Sequence, residues 1–238
     1  MVKKIYESVD STQSTHTDLD ELEVLEDPSL EVIAPEETAS LMIFPEVTEP
    51  SVRTLSVYGE ITEERVRSTL ATLNYLKQSG KREETPETES DNEEAPKIIT
   101  YEPIEFLIST EGGNVQDMFS VYDCMRNIEK ECEIHTFGIG KVMSAGTLIL
   151  AAGTKGKRKV GRNCRLMMHS VRGGHFGSIK ELEVDMKEVR WYQEQFIKAM
   201  AEETSLSYKQ VKNIFRRKTD TYFDAEQALK WGLADEIV

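Results

Sequence analysis

Basic residues are in deficit. The 238-residue chain has 29 Lys and Arg against 43 Asp and Glu, a formal net charge of -14 at pH 7. A chain of that sign does not gather phosphate backbones by blanket attraction, which argues against a general nucleic-acid binder. Cysteine is scarce as well: Cys124, Cys132 and Cys164 are an odd number with no C-x-x-C spacing. They encourage neither a disulfide framework nor a structural zinc site, and a reducing, cytoplasmic compartment fits best. Long apolar runs are missing, since the longest, residues 142–153, is too short for a bilayer span. No basic-then-apolar signal segment opens the sequence, so neither a membrane nor export is expected. Residues 153–157 are no phosphate loop, because their Gly-Lys pair lacks a following Ser or Thr. Internal repeats are missing too.

What is present is unevenly spread. Residues 1–50 hold 13 acids and two bases, Lys3 and Lys4. Their apolar side chains are too scattered to offset the entropy of ordering a backbone, so 1–50 reads as a mostly disordered acidic extension or propeptide. Leu41, Met42, Ile43 and Phe44 are an apolar exception, able to dock or to add a strand. A second acidic tract, 79–97, carries seven acids, three bases and two prolines, and reads as an exposed loop insert. With both tracts set aside, 23 acids and 24 bases remain, so the body of the single domain expected over 51–238 is close to neutral.

That body alternates strand-like and helix-like runs. Residues 53–58 alternate as a short strand, and Thr62 is placed to cap a helix with Val66, Leu70, Leu73 and Leu76 on one face. Residues 104–108 read as a buried strand. Asn114 can cap the next helix, whose inner face would carry Val115, Met118, Phe119, Tyr122 and Met125. Strands are expected over 134–139 and 165–168, with an apolar helix between them closing at Gly153. Ser178 and Glu181 form a capping box opening a long helix, with Ile179, Leu182, Met186, Val189, Phe196 and Met200 near heptad spacing. Ser207 and Asp224 look like two more helix starts, and Gly232 suits a helix stop. The alternation implies an α/β fold with a mostly parallel sheet.

Three residues of this frame can carry chemistry together. Ser144 lies between a strand and a helix among Gly140, Ala145 and Gly146, where unpaired helix N–H groups favour a nucleophile; a serine there is usually only an N-cap. The backbone N–H of Ala145 can point at an oxyanion. His169, after an apolar strand, is a candidate base, although a strand-end histidine is more often structural. Asp220, between Thr219 and Thr221, is by default a turn carboxylate. As a set they suit acyl transfer, in which imidazole takes the serine proton and a carboxylate steadies the imidazolium. Gly112 and Gly113 allow either a tight turn or close backbone approach to a ligand. The basic run 155–159 reads as a charged β-turn, His175 as an exposed loop residue, and Trp191 and Trp231 as packing residues.

Gly112-Gly113, the run from Gly140 through Ser144 to Gly146, Met167 to His169, Gly173-Gly174, Asp220, and the closing Gly232 to Asp235 occur in an order that resembles the ClpP family of self-compartmentalising serine proteases. The likeness covers about residues 53–238 apart from the acidic insert. It implies a ClpP/crotonase-like fold of repeated β-β-α units with a protruding handle helix, the one opening at Ser178. It implies catalytic Ser144, His169 and Asp220, oxyanion-hole N–H groups at Gly113 and Ala145, and substrate binding by a strand entered at Gly173 and Gly174. It further implies cleavage of unfolded protein or peptide substrates inside homo-oligomeric heptameric rings, paired as a tetradecamer and fed by a ring-shaped ATP-dependent unfoldase. No metal or organic cofactor is implied.

Three positions depart from the family pattern. Glu111 stands beside the oxyanion glycines, Thr219 replaces an arginine that contributes to ring pairing, and Glu105 replaces an aromatic side chain of the unfoldase pocket. They motivate the alternative of a non-catalytic structural subunit in a mixed ring. A phage-type capsid maturation protease is a narrower form of the first reading. A crotonase-type acyl-CoA enzyme would share the fold and the backbone oxyanion hole but has no use for a Ser-His-Asp set.

Overall fold

A computed structural model of the chain describes residues 52–84, 97–174 and 176–238. The expectations for residues 1–50, including the Leu41 to Phe44 patch, for 85–96 within the acidic insert, and for His175 lie outside the described residues.

The elements run β1 (Thr54–Ile61), α1 (Glu63–Ser79), β2 (Lys81–Glu84), β3 (Ile98–Tyr101), β4 (Ile104–Gly113), α2 (Val115–Ile128), β5 (Ile134–Met143), α3 (Ala145–Ala151), β6 (Lys159–Val160), β7 (Arg165–Met168), α4 (Ile179–Glu203), α5 (Tyr208–Phe215), β8 (Thr221–Phe223), α6 (Ala225–Lys230) and β9 (Glu236–Ile237). Parallel strands need crossover connections, and helices supply most of them here. β1, β4, β5, β6 and β9 lie side by side in that order, each parallel to the next. β5 is forked: Phe137 and Gly138 pair with β6, whereas Lys141 to Met143 pair with β7, which in turn carries the antiparallel β8. The fold is the α/β architecture with a mostly parallel sheet that the alternation implies.

Burial explains why these segments hold. Ile104, Phe106 and Ile108 of β4 are fully buried at alternate positions, the period of a strand. α2 turns Met118, Val121, Tyr122, Met125 and Ile128 inward, each contributing about 1.5–3 kcal/mol by leaving water. The Asn114 side chain accepts from the N–H groups of Gln116 (2.7 Å) and Asp117 (3.3 Å), capping α2 as its sequence position suggests. Ser178 and Ser207 both complete capping boxes, and Asp224 accepts from Gln227 N at 2.9 Å. The buried residues of α4 begin at Phe196; Ile179, Leu182, Val184 and Met186 of its first half are exposed.

Several details differ from the sequence reading. Thr62 is the N-cap of α1 by position, yet its side chain makes no capping bond. The strands foreseen at 53–58, 104–108 and 134–139 run longer at their C-terminal ends, because parallel partners continue the ladder past the apolar stretch. Within the tract read as a loop, Ser79 still belongs to α1, and Lys81–Glu84 pairs antiparallel with Ile98–Tyr101. Trp231 packs on Phe223 with ring centroids 4.8 Å apart, but Trp191 is more than half exposed and meets Tyr192 in a T-shaped contact. The basic run does turn, with Lys157 N–H donating to Thr154 O at 2.9 Å; its Arg158, however, is buried and paired with Asp235.

Candidate active site

The sharp passage from β5 into α3 is built around one residue. Ser144 has φ 52° and ψ -121°, and among the described residues it is the only non-glycine with positive φ. Such a conformation costs of order 1–3 kcal/mol and persists only where its surroundings over-determine it. They do so here: Ser144 N–H donates to Met167 O at 2.7 Å, and its carbonyl accepts from Thr147 N (3.0 Å) and Oγ1 (2.7 Å). Close approach of β4 completes the fit. A Cβ on Gly112 (φ +96°) would lie 2.6 Å from Ser144 Cβ, and one on Gly146 would lie 2.3 Å from Thr110 Cγ2. Glycine is what lets the end of β4 press against the serine turn.

β7 ends by delivering His169 to this turn. Its Nε2 lies 2.8 Å from Ser144 Oγ, the separation of a nucleophile and its base. Nε2 can accept the hydroxyl proton only in the neutral ring, which then carries its own hydrogen on Nδ1. That nitrogen is buried and has no hydrogen-bond partner among the described residues. Burial, followed by the nearby Arg172 charge, holds the His169 pKa below its ordinary value, while the Asp220 charge pulls the other way. Asp220 thus acts on the ring through its charge, but its Oδ1 accepts from Arg172 Nη2. Of the three residues singled out for catalysis, Ser144 and His169 are in contact, and Asp220 stands aside in an ion pair.

A cleft of about 1160 Å³ opens over these residues and is walled by Gly113, Ala145, Gly173 and Gly174 together with α4 side chains such as Met186 and Val189. Ala145 begins α3, so its N–H has no acceptor within the helix. Gly113 is held against β1, where a Cβ would meet Ile61 O at 2.2 Å. Gly173 packs against Val189, whereas a Cβ on Gly174 would meet nothing within 4 Å. The strand implied after Gly173-Gly174 is not formed among the described residues, since no neighbouring segment of the chain offers it a ladder. Glu111 is neutralised by Lys141, Oε2 to Nζ 2.8 Å, and that contact holds its carboxyl below the usual range. Glu105 pairs with His135 Nδ1 at 3.0 Å, and Glu133 takes the other ring nitrogen at 2.8 Å. Among the described residues no cluster of His, Cys, Asp and Glu could hold a metal ion, and no helix is long and apolar enough to cross a membrane.

Sequence reasoning missed Arg172 and Lys141. Lys141 carries no signal of its own in the sequence: it stands diagonally across from Glu111 in the parallel register that pairs Thr110 with Val142. Arg172 had only its nearness in sequence to His169 to give it away. Comparison with known proteins gives the family. The family model described as Clp protease matches residues 97–238. The chain is 32% identical over 135 residues, 57% of its length, to the ATP-dependent Clp protease proteolytic subunit 1 of Prochlorococcus marinus (strain MIT 9312), of which the match covers 67%. It is 31% identical over the same shares to the protein of that name from Prochlorococcus marinus subsp. pastoris (strain CCMP1986 / NIES-2087 / MED4).

Proposed function

Because the chain belongs to the Clp protease family, we propose that it is a serine endopeptidase of the ClpP type, hydrolysing unfolded polypeptides by acyl transfer inside an oligomeric chamber. The observation that carries this reading is the 2.8 Å contact between Ser144 Oγ and His169 Nε2 on a strained turn. Ser144 attacks the peptide carbonyl as His169 takes its proton. The developing oxyanion meets the N–H groups of Gly113 and Ala145, with Lys141 cancelling the charge of Glu111 beside them. His169 then gives the proton to the leaving amine, and water releases the acyl group by the same steps in reverse order. Asp220 orients and stabilises the imidazolium once it turns to Nδ1. Gly173 and Gly174 receive the substrate backbone. The exposed apolar first half of α4 suits pairing between heptameric rings, and an ATP-dependent unfoldase supplies unfolded chain.

The test is labelling of the full chain with a fluorophosphonate, read by intact mass together with native mass of the assembly. Ser144 is expected to be modified and Ser144→Ala to abolish both labelling and peptide cleavage; folded protein that stays unlabelled from about pH 6 to 9 sinks the reading. A second reading, a non-catalytic subunit of a mixed ring, is favoured by the engagement of Asp220 with Arg172. It requires a chain inert alone that forms rings with a paralogous subunit.

A further inference from the structure

Two of the three residues singled out for catalysis are in arrangements that do not suit the resting needs of a triad. His169 Nδ1 is buried without a hydrogen-bond partner among the described residues, and Asp220, the carboxylate whose charge acts on the ring, is engaged by Arg172. The Arg172 side chain is 68% exposed and that of Asp220 28%, so the guanidinium is the freer of the two to swing away. We propose that Arg172 is a substrate-reading latch: its guanidinium holds Asp220 off His169 until a carboxylate on the bound peptide, near the scissile bond, takes the guanidinium over and frees Asp220 to close on Nδ1. The inference rests on the reading of Ser144, His169 and Asp220 as a triad.

The chemistry of the cleft selects the releasing group. A peptide carbonyl is neutral and lacks the charge–charge attraction that holds the Asp220 carboxylate on the guanidinium, so it does not displace Asp220, whereas a second carboxylate competes on equal terms. Among the described residues lining the cleft Arg172 is the only lysine or arginine, while Glu60 and Glu188 repel an anion elsewhere on the wall. An acidic substrate side chain thus has one favourable place in the cleft, and that place is the latch. Arg172 is on this account a positioning and specificity residue; it does not touch the reacting atoms. It also lowers the His169 pKa, so its removal or its capture by substrate moves that pKa upward.

The experiment compares full-length wild type, Arg172→Leu and Arg172→Lys on two fluorogenic peptides that differ only in Glu against Gln beside the scissile bond. Wild type is expected to favour the Glu peptide about fivefold in kcat/KM, the scale of one exposed ion pair. Arg172→Leu should cleave both peptides equally, with a higher kcat on the Gln peptide and the acid limb of its pH profile shifted to higher pH. Arg172→Lys should keep the preference, because the contact with Asp220 uses a single nitrogen of the guanidinium. An unchanged Glu to Gln ratio or an unmoved acid limb in Arg172→Leu, with Ser144 still labelled by fluorophosphonate, overturns the latch and leaves the protease reading standing. Folded wild type and Arg172→Leu that both stay unlabelled overturn that reading and the latch with it.

Discussion

Replacing Gly112 with alanine separates a working serine turn from a merely well-packed one. The new Cβ would sit 2.6 Å from Ser144 Cβ, 2.9 Å from Met143 O and 3.2 Å from Ala145 N. Carbon atoms rest at about 3.5–4.0 Å, so the turn must retreat by about 1 Å. Two of these neighbours are backbone atoms and cannot rotate aside. A misplacement of that size costs about a hundredfold in the rate of an oriented reaction. At φ +96° alanine also carries backbone strain of about 1–2 kcal/mol, lowering the melting temperature by about 2–4 °C per kcal/mol in a body of this size. The assay is the rate of fluorophosphonate labelling by intact mass beside a calorimetric melt. Gly161→Ala is the control: its Cβ would meet Gly138 O at 3.6 Å and Phe137 Cε2 at 3.9 Å, both ordinary contacts, and labelling should be unchanged. A folded Gly112→Ala protein that labels within about twofold of wild type would falsify the account of how Ser144 is held.

Three further outcomes follow. Because burial and Arg172 lower the His169 pKa, the base stays neutral below its ordinary 6.5, and kcat/KM should persist there and fall only as pH passes through the lowered value; an acid-limb midpoint above 6.5 refutes this. Lys141→Met should leave the Glu111 charge bare beside the oxyanion N–H groups and slow labelling about fivefold, an ion-pair-sized effect, while Glu111→Gln in the same background restores it; a Lys141→Met rate equal to wild type removes the argument. Asp235→Asn should cost about 3 kcal/mol in urea unfolding at pH 7, because buried Arg158 loses its counter-charge. Burial raises the Asp235 pKa, but the Arg158 bonds outweigh it and hold the carboxyl low, so its contribution is present above 3.8 and is lost as pH falls through the folded value. The gap between wild type and Asp235→Asn should close on that acid side, and a gap independent of pH contradicts the pairing.

What the sequence made legible was local chemistry. Asn114, Ser178, Ser207 and Asp224 announce helix starts because a capping side chain bonds to N–H groups two or three residues away, a distance visible in one dimension. Ser144 stood out by its small neighbours, and the meeting with His169 came from family order rather than spacing. The missed parts depend on register or on competition. β6 and β9 are two residues each, too short for any period to show. β2 carries the charged run Lys81 to Glu84 and becomes a strand only through its partner Ile98–Tyr101. The capture of Asp220 by Arg172 is a choice between two nearby bases, and nothing in the order of residues weighs one against the other.

The parallel strands also divide the molecule by tolerance to change. β4 rises about 3.3 Å per residue over its ten residues, so its two ends are about 30 Å apart. At one end, next to Glu102 and Ile104, the β2–β3 hairpin is attached; at the other, Gly112 and Gly113 lie against the serine turn. Changes confined to the β2–β3 pair therefore act a strand's length away from the serine turn, whereas a single insertion between Ile134 and Met143 would shift the register of β5 against β4, β6 or β7. Length is metered along all of β5, where it runs between its partners, and change at the hairpin stays at arm's length from the chemistry.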